Sequence, residues 1–160
     1  MMHNWFECKI RYEKTMENGM NKKVTEPYLV DALSFTEAEK RIIEEMTPFI
    51  SGEFTVSDIK RANYSELFTC EEEAADRWFK CKLYFITLDE KSGAEKKTAT
   101  QILVQAADLR DAIKKLDEGM KGTMADYVIA SVNETPIMDV YPYDGEIHVA
   151  PEFPEAGANA

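Results

Sequence analysis

At 160 residues, 44% hydrophobic and 31% charged, the chain has room for one ordinary domain or two small ones with a real core. Its net charge of −11 gives a field that repels phosphate and excludes a basic nucleic-acid arm. No apolar run approaches the roughly 20 residues needed to cross a bilayer, so no membrane is expected.

The N-terminus, Met1-Met2-His3-Asn4-Trp5-Phe6-Glu7, has no basic patch followed by an apolar stretch, and no secretory signal is expected. Phe6, Cys8, Ile10 and Tyr12 then alternate with Glu7, Lys9, Arg11 and Glu13, the period-2 pattern of a half-buried strand. Glu17-Asn18-Gly19 marks a turn, and a second strand follows from Val24 to Leu33, with Pro27 pointing to an edge or a bulge. Ser34 with Glu37 forms a capping box. Leu33 and Ala38 are placed for a hydrophobic staple, and Ala38, Ile42, Met46 and Phe49 make the apolar stripe of a helix closed by Pro48 and Gly52. A third strand starts near Glu53 and breaks near Asn63, before a short fourth strand at 65–68.

The same order then returns. Trp5-Phe6-Glu7-Cys8-Lys9-Ile10 is matched by Trp78-Phe79-Lys80-Cys81-Lys82-Leu83, and Tyr28-Leu29-Val30-Asp31-Ala32 by Ile102-Leu103-Val104-Gln105-Ala106. Lys91-Ser92-Gly93 marks the second turn, Asp108 caps a second helix, and Leu109, Ala112, Ile113, Leu116 and Met120 form its stripe. Phe54 falls opposite Tyr127, Val56 opposite Ile129, Ile59 opposite Val132 and Phe68 opposite Tyr141. The chain therefore reads as an α+β internal tandem duplication of a β-β-α-β(β) unit of about 70 residues, pseudo-twofold, with antiparallel sheets and one helix per repeat. The repeats are expected at 4–68 and 77–141, joined by an acidic linker at 69–76 and followed by an acidic, flexible tail at 142–160. All 19 Lys and Arg lie at or before Lys121, after which acidic residues accumulate.

Catalysis finds little support. His3 and His148, the two histidines, sit in no motif, and no nucleophile elbow or phosphate-binding glycine loop is present. The three cysteines fit free thiols in a reducing cytosol, not a zinc knuckle, and a cytoplasmic protein is expected. Cys8 and Cys81 read as buried apolar side chains. No enzyme activity, no cofactor and no metal is expected. One surface is open to binding: Trp5, Lys9 and Arg11 lie on the strand face opposite Phe6 and Cys8, and Trp78, Lys82 and Tyr84 on the matching face of the second copy. Rings beside cations can stack bases and pair phosphates, or pack against another repeat, a second subunit or a protein partner.

The runs Trp5–Tyr12, Tyr28–Ala32 and Ser34–Glu39 resemble an uncharacterised domain-of-unknown-function family found in gut Bacteroidales and their phages. The resemblance covers about residues 4–143. It implies a small intracellular protein of bacterial, prophage or phage origin and carries no established activity. The expectation is a non-enzymatic binding or assembly module. The alternatives are a single-stranded nucleic-acid-binding protein and, resting on charge alone, an acidic inhibitor that mimics nucleic acid.

Overall fold

A computed structural model describes residues 3–143. The fold is α+β, with two helices and two four-stranded, mainly antiparallel sheets. The described residues divide into two units, one running to Asn63 and resuming at Pro136, the other spanning Tyr64–Thr135.

In the first unit, β1 (Trp5–Thr15) and β2 (Asn21–Asp31) form a hairpin with Trp5 opposite Asp31. Gly19 closes it at φ +84°, a left-handed conformation that glycine adopts without steric cost. Helix α1 (Phe35–Met46) crosses one face, and β3 (Phe54–Ala62) pairs with the free side of β1. The fourth strand, β8 (Val140–Tyr141), comes from the far end of the chain and lies parallel to β2, giving the order β3-β1-β2-β8. In the second unit, β5 (Arg77–Leu88) and β6 (Glu95–Ala106) form the hairpin, α2 (Leu109–Gly119) crosses it, and β7 (Asp126–Thr135) pairs with β5. Here the fourth strand is β4 (Glu66–Phe68), parallel to β6, and the order is β4-β6-β5-β7. The spatial units therefore do not follow the repeat bounds expected from the sequence, 4–68 and 77–141, because each sheet receives its short strand from the other half of the chain.

Parity explains the cores. Phe6, Cys8 and Ile10 face α1, where Ala38, Ile42 and Met46 cover them. Phe79, Cys81 and Leu83 face α2 beneath Ala112, Leu116 and Met120. Burying a Phe or Leu side chain contributes about 1.5–3 kcal/mol each. The edge strands β3 and β7 each hold one extra residue: Lys9 faces Asp58 while Ile10 faces Val56, and Lys82 faces Ser131 while Leu83 faces Ile129. These bulges, at Ser57 and Ala130, twist long exposed edges away from further pairing.

Three sequence expectations change. Leu33 is 72% exposed and forms no staple, since its partner Ala38 is a single methyl turned into the core and the Leu33 amide is tied to Glu37 Oε1 at 2.5 Å. Phe35 makes the apolar contact at this helix end, edge-on to Phe6 at 4.9 Å, with the Arg61 guanidinium over the Phe6 ring. Phe49 is 75% exposed, because α1 stops at Met46 and the helical period stops with it. In α2 only Ala112 and Leu116 are buried, with the C-cap residue Met120 just beyond; Leu109 and Ile113 stay 49% and 37% exposed.

Gly119, at the end of α2, packs against Phe68 of β4. A Cβ there would lie 2.5 Å from the Phe68 ring. Gly119→Ala is therefore expected to destabilise the fold by about 1–3 kcal/mol through overpacking, despite alanine's better helix propensity. Denaturant unfolding checks this, and an unchanged or raised midpoint would count against it.

Candidate functional site

The face of each sheet turned away from its helix is built from directly paired residues. In the first sheet the rows are Trp5-Asp31-Ala62, Glu7-Leu29-Lys60, Lys9-Pro27-Asp58 and Arg11-Thr25-Thr55. In the second they are Trp78-Gln105-Thr135, Lys80-Leu103-Asn133, Lys82-Gln101-Ser131 and Tyr84-Ala99-Val128. The first face mixes carboxylates with cations. At the three matching positions the second face carries Lys80 for Glu7, Gln105 for Asp31 and Ser131 for Asp58, so these rows hold lysines and no carboxylate.

The six sequence-chosen residues fare differently. Trp5 and Trp78 are 3% and 4% exposed, so neither indole offers an open ring for stacking. Trp5 stacks on His3 at 5.0 Å, and the Trp78 carbonyl accepts from the Thr135 hydroxyl at 2.9 Å. Lys9 is half-buried, and exposed Arg11 lines an open groove of about 940 Å³ with Tyr12, Lys23 and Phe54. Lys82 and Tyr84 are brought together, the ammonium 5.4 Å from the ring centre, a cation–π contact on a half-buried surface. Ile86 continues this face half-buried, and Leu88 and Val128 are 67% and 43% exposed.

A second constellation, of which sequence reading found only the caps Ser34, Glu37 and Asp108, gathers at each helix N-terminus. Ser34 Oγ accepts from Glu37 N–H at 3.1 Å and Asp108 Oδ1 from Asp111 N–H at 2.8 Å. In return the Leu33 amide donates to Glu37 and the Ala107 amide to Asp111. In the first unit the Tyr143 hydroxyl also donates to Glu37, and Arg41 lies 4.7 Å over the Tyr143 ring. Buried Asp31 accepts from His3 and from the Asn4 amide, the latter at 3.0 Å. In the second unit Lys115 replaces Arg41. Its ammonium donates to Asp111 at 2.8 Å, Cys70 Sγ at 3.0 Å and Glu72 at 3.1 Å. Burial alone would pull that ammonium's pKa down, but these three hydrogen bonds outweigh it and hold the group above its ordinary range. The readable signal was the capping box; the basic residue one turn further on carried no marker.

The thiols differ in the same way. Burial pushes Cys8 and Cys81 up to about 12, with Glu7 and Asp58 adding to the rise at Cys8. Cys70 is half-buried beside the Lys115 ammonium. Among the described residues no group of three metal-ligating side chains comes together, and no helix is long and apolar enough to cross a membrane. His148 and the acidic residues from Asp144 onward lie outside the described residues.

Two outcomes are expected. In the folded protein iodoacetamide modifies Cys70 well before Cys8 and Cys81, because only thiolate that reagent can reach reacts; peptide mass spectrometry over time reads it, and equal rates would refute it. The carboxyl of Glu37 is held low by the Tyr143 hydroxyl and the Leu33 amide, and that of Asp111 by Lys115 and the Ala107 amide. A depressed folded-state pKa gives stability present above the unfolded value of about 4 and lost as pH falls through the folded one. The difference in melting temperature between wild type and Glu37→Gln or Asp111→Asn should therefore shrink steadily below about pH 4.

No curated protein matches the chain. A family model does, described as Domain of unknown function (DUF4494), over residues 4–143. Spanning both hairpins, both helices and both exchanged strands, that match places the chain in the DUF4494 family.

Proposed function

We propose that the protein is a non-enzymatic binding module that arose by tandem duplication, a homodimer fused into one chain, and that it binds through the solvent-reached part of the second sheet's helix-distal face, around exposed Lys80 and half-buried Lys82 and Tyr84. Support for the duplication comes from features that recur at matching positions: the hairpin glycines Gly19 and Gly93, the bulges at Ser57 and Ala130, the reciprocal helix caps, and the parallel fourth strands. A duplicated scaffold keeps what its core and backbone require. Where the copies diverge systematically, a different demand is acting.

The carrying observation is the exchange of Glu7, Asp31 and Asp58 for Lys80, Gln105 and Ser131 around the stacked Lys82–Tyr84 pair. In a chain of net charge −11, four successive rows with Lys80 and Lys82 and no carboxylate, ending at Asp126 opposite Ile86, favour an anionic partner. Single-stranded nucleic acid is the second reading. It is favoured by the cation–π pair and weakened by the burial of both tryptophans, which leaves Tyr84 to stack a base.

Fluorescence anisotropy with labelled oligothymidylate and labelled polyglutamate, at low and moderate salt, tests both readings. Binding of either should weaken with salt and fall sharply in Lys80→Glu/Lys82→Glu, while Lys9→Glu leaves it nearly unchanged. If oligothymidylate binds, the double variant should lower the log–log salt slope by about 1.4, the value for two lost single-strand phosphate contacts. Binding of polyglutamate alone would select a protein partner. No binding of either at low salt would sink the proposal of an anionic partner.

A further inference from the structure

β8 is two residues long and seats on β2 in parallel register, Leu29 opposite Val140 and Val30 opposite Tyr141. It follows β7, a strand of the other unit, through residues 136–139, which have no regular structure. Along this tether Met138 N–H donates to the Pro27 carbonyl at 2.8 Å, and Leu29 N–H donates to the Asp139 carbonyl at 3.0 Å. Past β8, Arg41 donates to the Pro142 carbonyl at 3.0 Å and covers the Tyr143 ring. Tyr28 and Tyr141 stack at 6.1 Å. No contact in this set requires the arm and its seat to belong to the same polypeptide. The opposite exchange has the same form, with Leu67 and Phe68 of β4 beside Leu103 and Val104 of β6.

We propose that the arm carrying β8, residues 136–143, can seat on the first unit of a second copy, so that two chains close into a reciprocal arm-exchanged dimer. The partner is another copy of this chain because the seat is shaped, residue by residue, for this arm. Exchange remakes each of the contacts named above under a new connectivity, which makes it a low-cost route to a dimer. A short tether holds its own arm at an effective concentration on the order of millimolar. The single-chain arrangement therefore dominates in dilute solution, and exchange competes when chains fold together near that concentration. Once formed, the exchanged dimer can revert only by releasing the arm.

The full chain is unfolded in denaturant, refolded across a series from micromolar to millimolar, and measured by size exclusion with light scattering. A dimer fraction that rises with refolding concentration and survives later dilution is expected. Differently tagged Arg41→Ala and Tyr143→Ala chains are also refolded together. Each homodimer of variants lacks the Arg41–Tyr143 contact at both seats, whereas the heterodimer keeps it at one. Heterodimer should exceed statistical pairing by about fivefold. Monomer at every refolding concentration, dimers that part at once on dilution, or statistical pairing of the variants would each overturn the proposal. If the variants do not refold, the wild-type series decides alone.

Discussion

Leu29 is fully buried, and its backbone N–H points away from β1, where the hairpin offers no acceptor. A buried donor left unpaired costs about 1–3 kcal/mol, and the Asp139 carbonyl supplies the partner. Much of the first unit follows from that requirement. The arm that brings Asp139 also brings Tyr141 onto Tyr28, the Pro142 carbonyl onto Arg41 and the Tyr143 hydroxyl onto Glu37. Glu37 closes the α1 cap, so the backbone need of one strand is linked through the arm to the start of the helix that covers the other face. Pro27, two residues before Leu29, faces the same side, where a missing N–H leaves no donor to satisfy. Its carbonyl still accepts from Met138.

The second unit meets the same need with different chemistry. Phe68 enters the core beneath Gly119, where the absence of a side chain lets the ring reach the helix backbone. Cys70 stands where the first unit has Tyr143, and Lys115 where it has Arg41. Where the first unit has a planar guanidinium over an aromatic ring, the second has a compact ammonium beside a thiol, held by two carboxylates. Backbone and cap geometry recurs in both units, while the polar groups around it differ. The faces turned away from the helices differ more, with carboxylates in the first sheet and none in the matching four rows of the second.

Much of the fold was legible in local patterns. Alternation around Phe6, Cys8 and Ile10 located β1 and its buried face, and Ser34 with Glu37 located the start of α1, because both signals arise within a few residues. The staple at Leu33 and the extension of the stripe to Phe49 failed for a local reason too: helical spacing says which residues share a side, not where the helix stops or what lies beneath. The candidate surface was only half legible. Parity placed Lys82 and Tyr84 on one face, and they do meet. The same parity placed Trp5 and Trp78 on such faces, but exposure depends on what covers a face, and both rings are buried.

The sequence by itself determined the two hairpins, the two capped helices, the inward rows of Phe, Cys and branched residues, and the family to which the chain belongs. Each rests on short-range periodicity, on turn and cap chemistry, or on the identity of the residues themselves. Tertiary structure alone decided which sheet each short strand completes. β4 and β8 carry no local mark of their acceptor, and either could have paired within its own half of the chain. Their assignment depends on unpaired backbone groups at the outer edges of β2 and β6, separated from them by long stretches of chain. The pairing of Lys115 with Cys70, of Arg41 with Tyr143 and of His3 with Asp31 belongs to the same class. Such contacts follow from where distant backbone is brought to rest, which no local pattern of residues encodes.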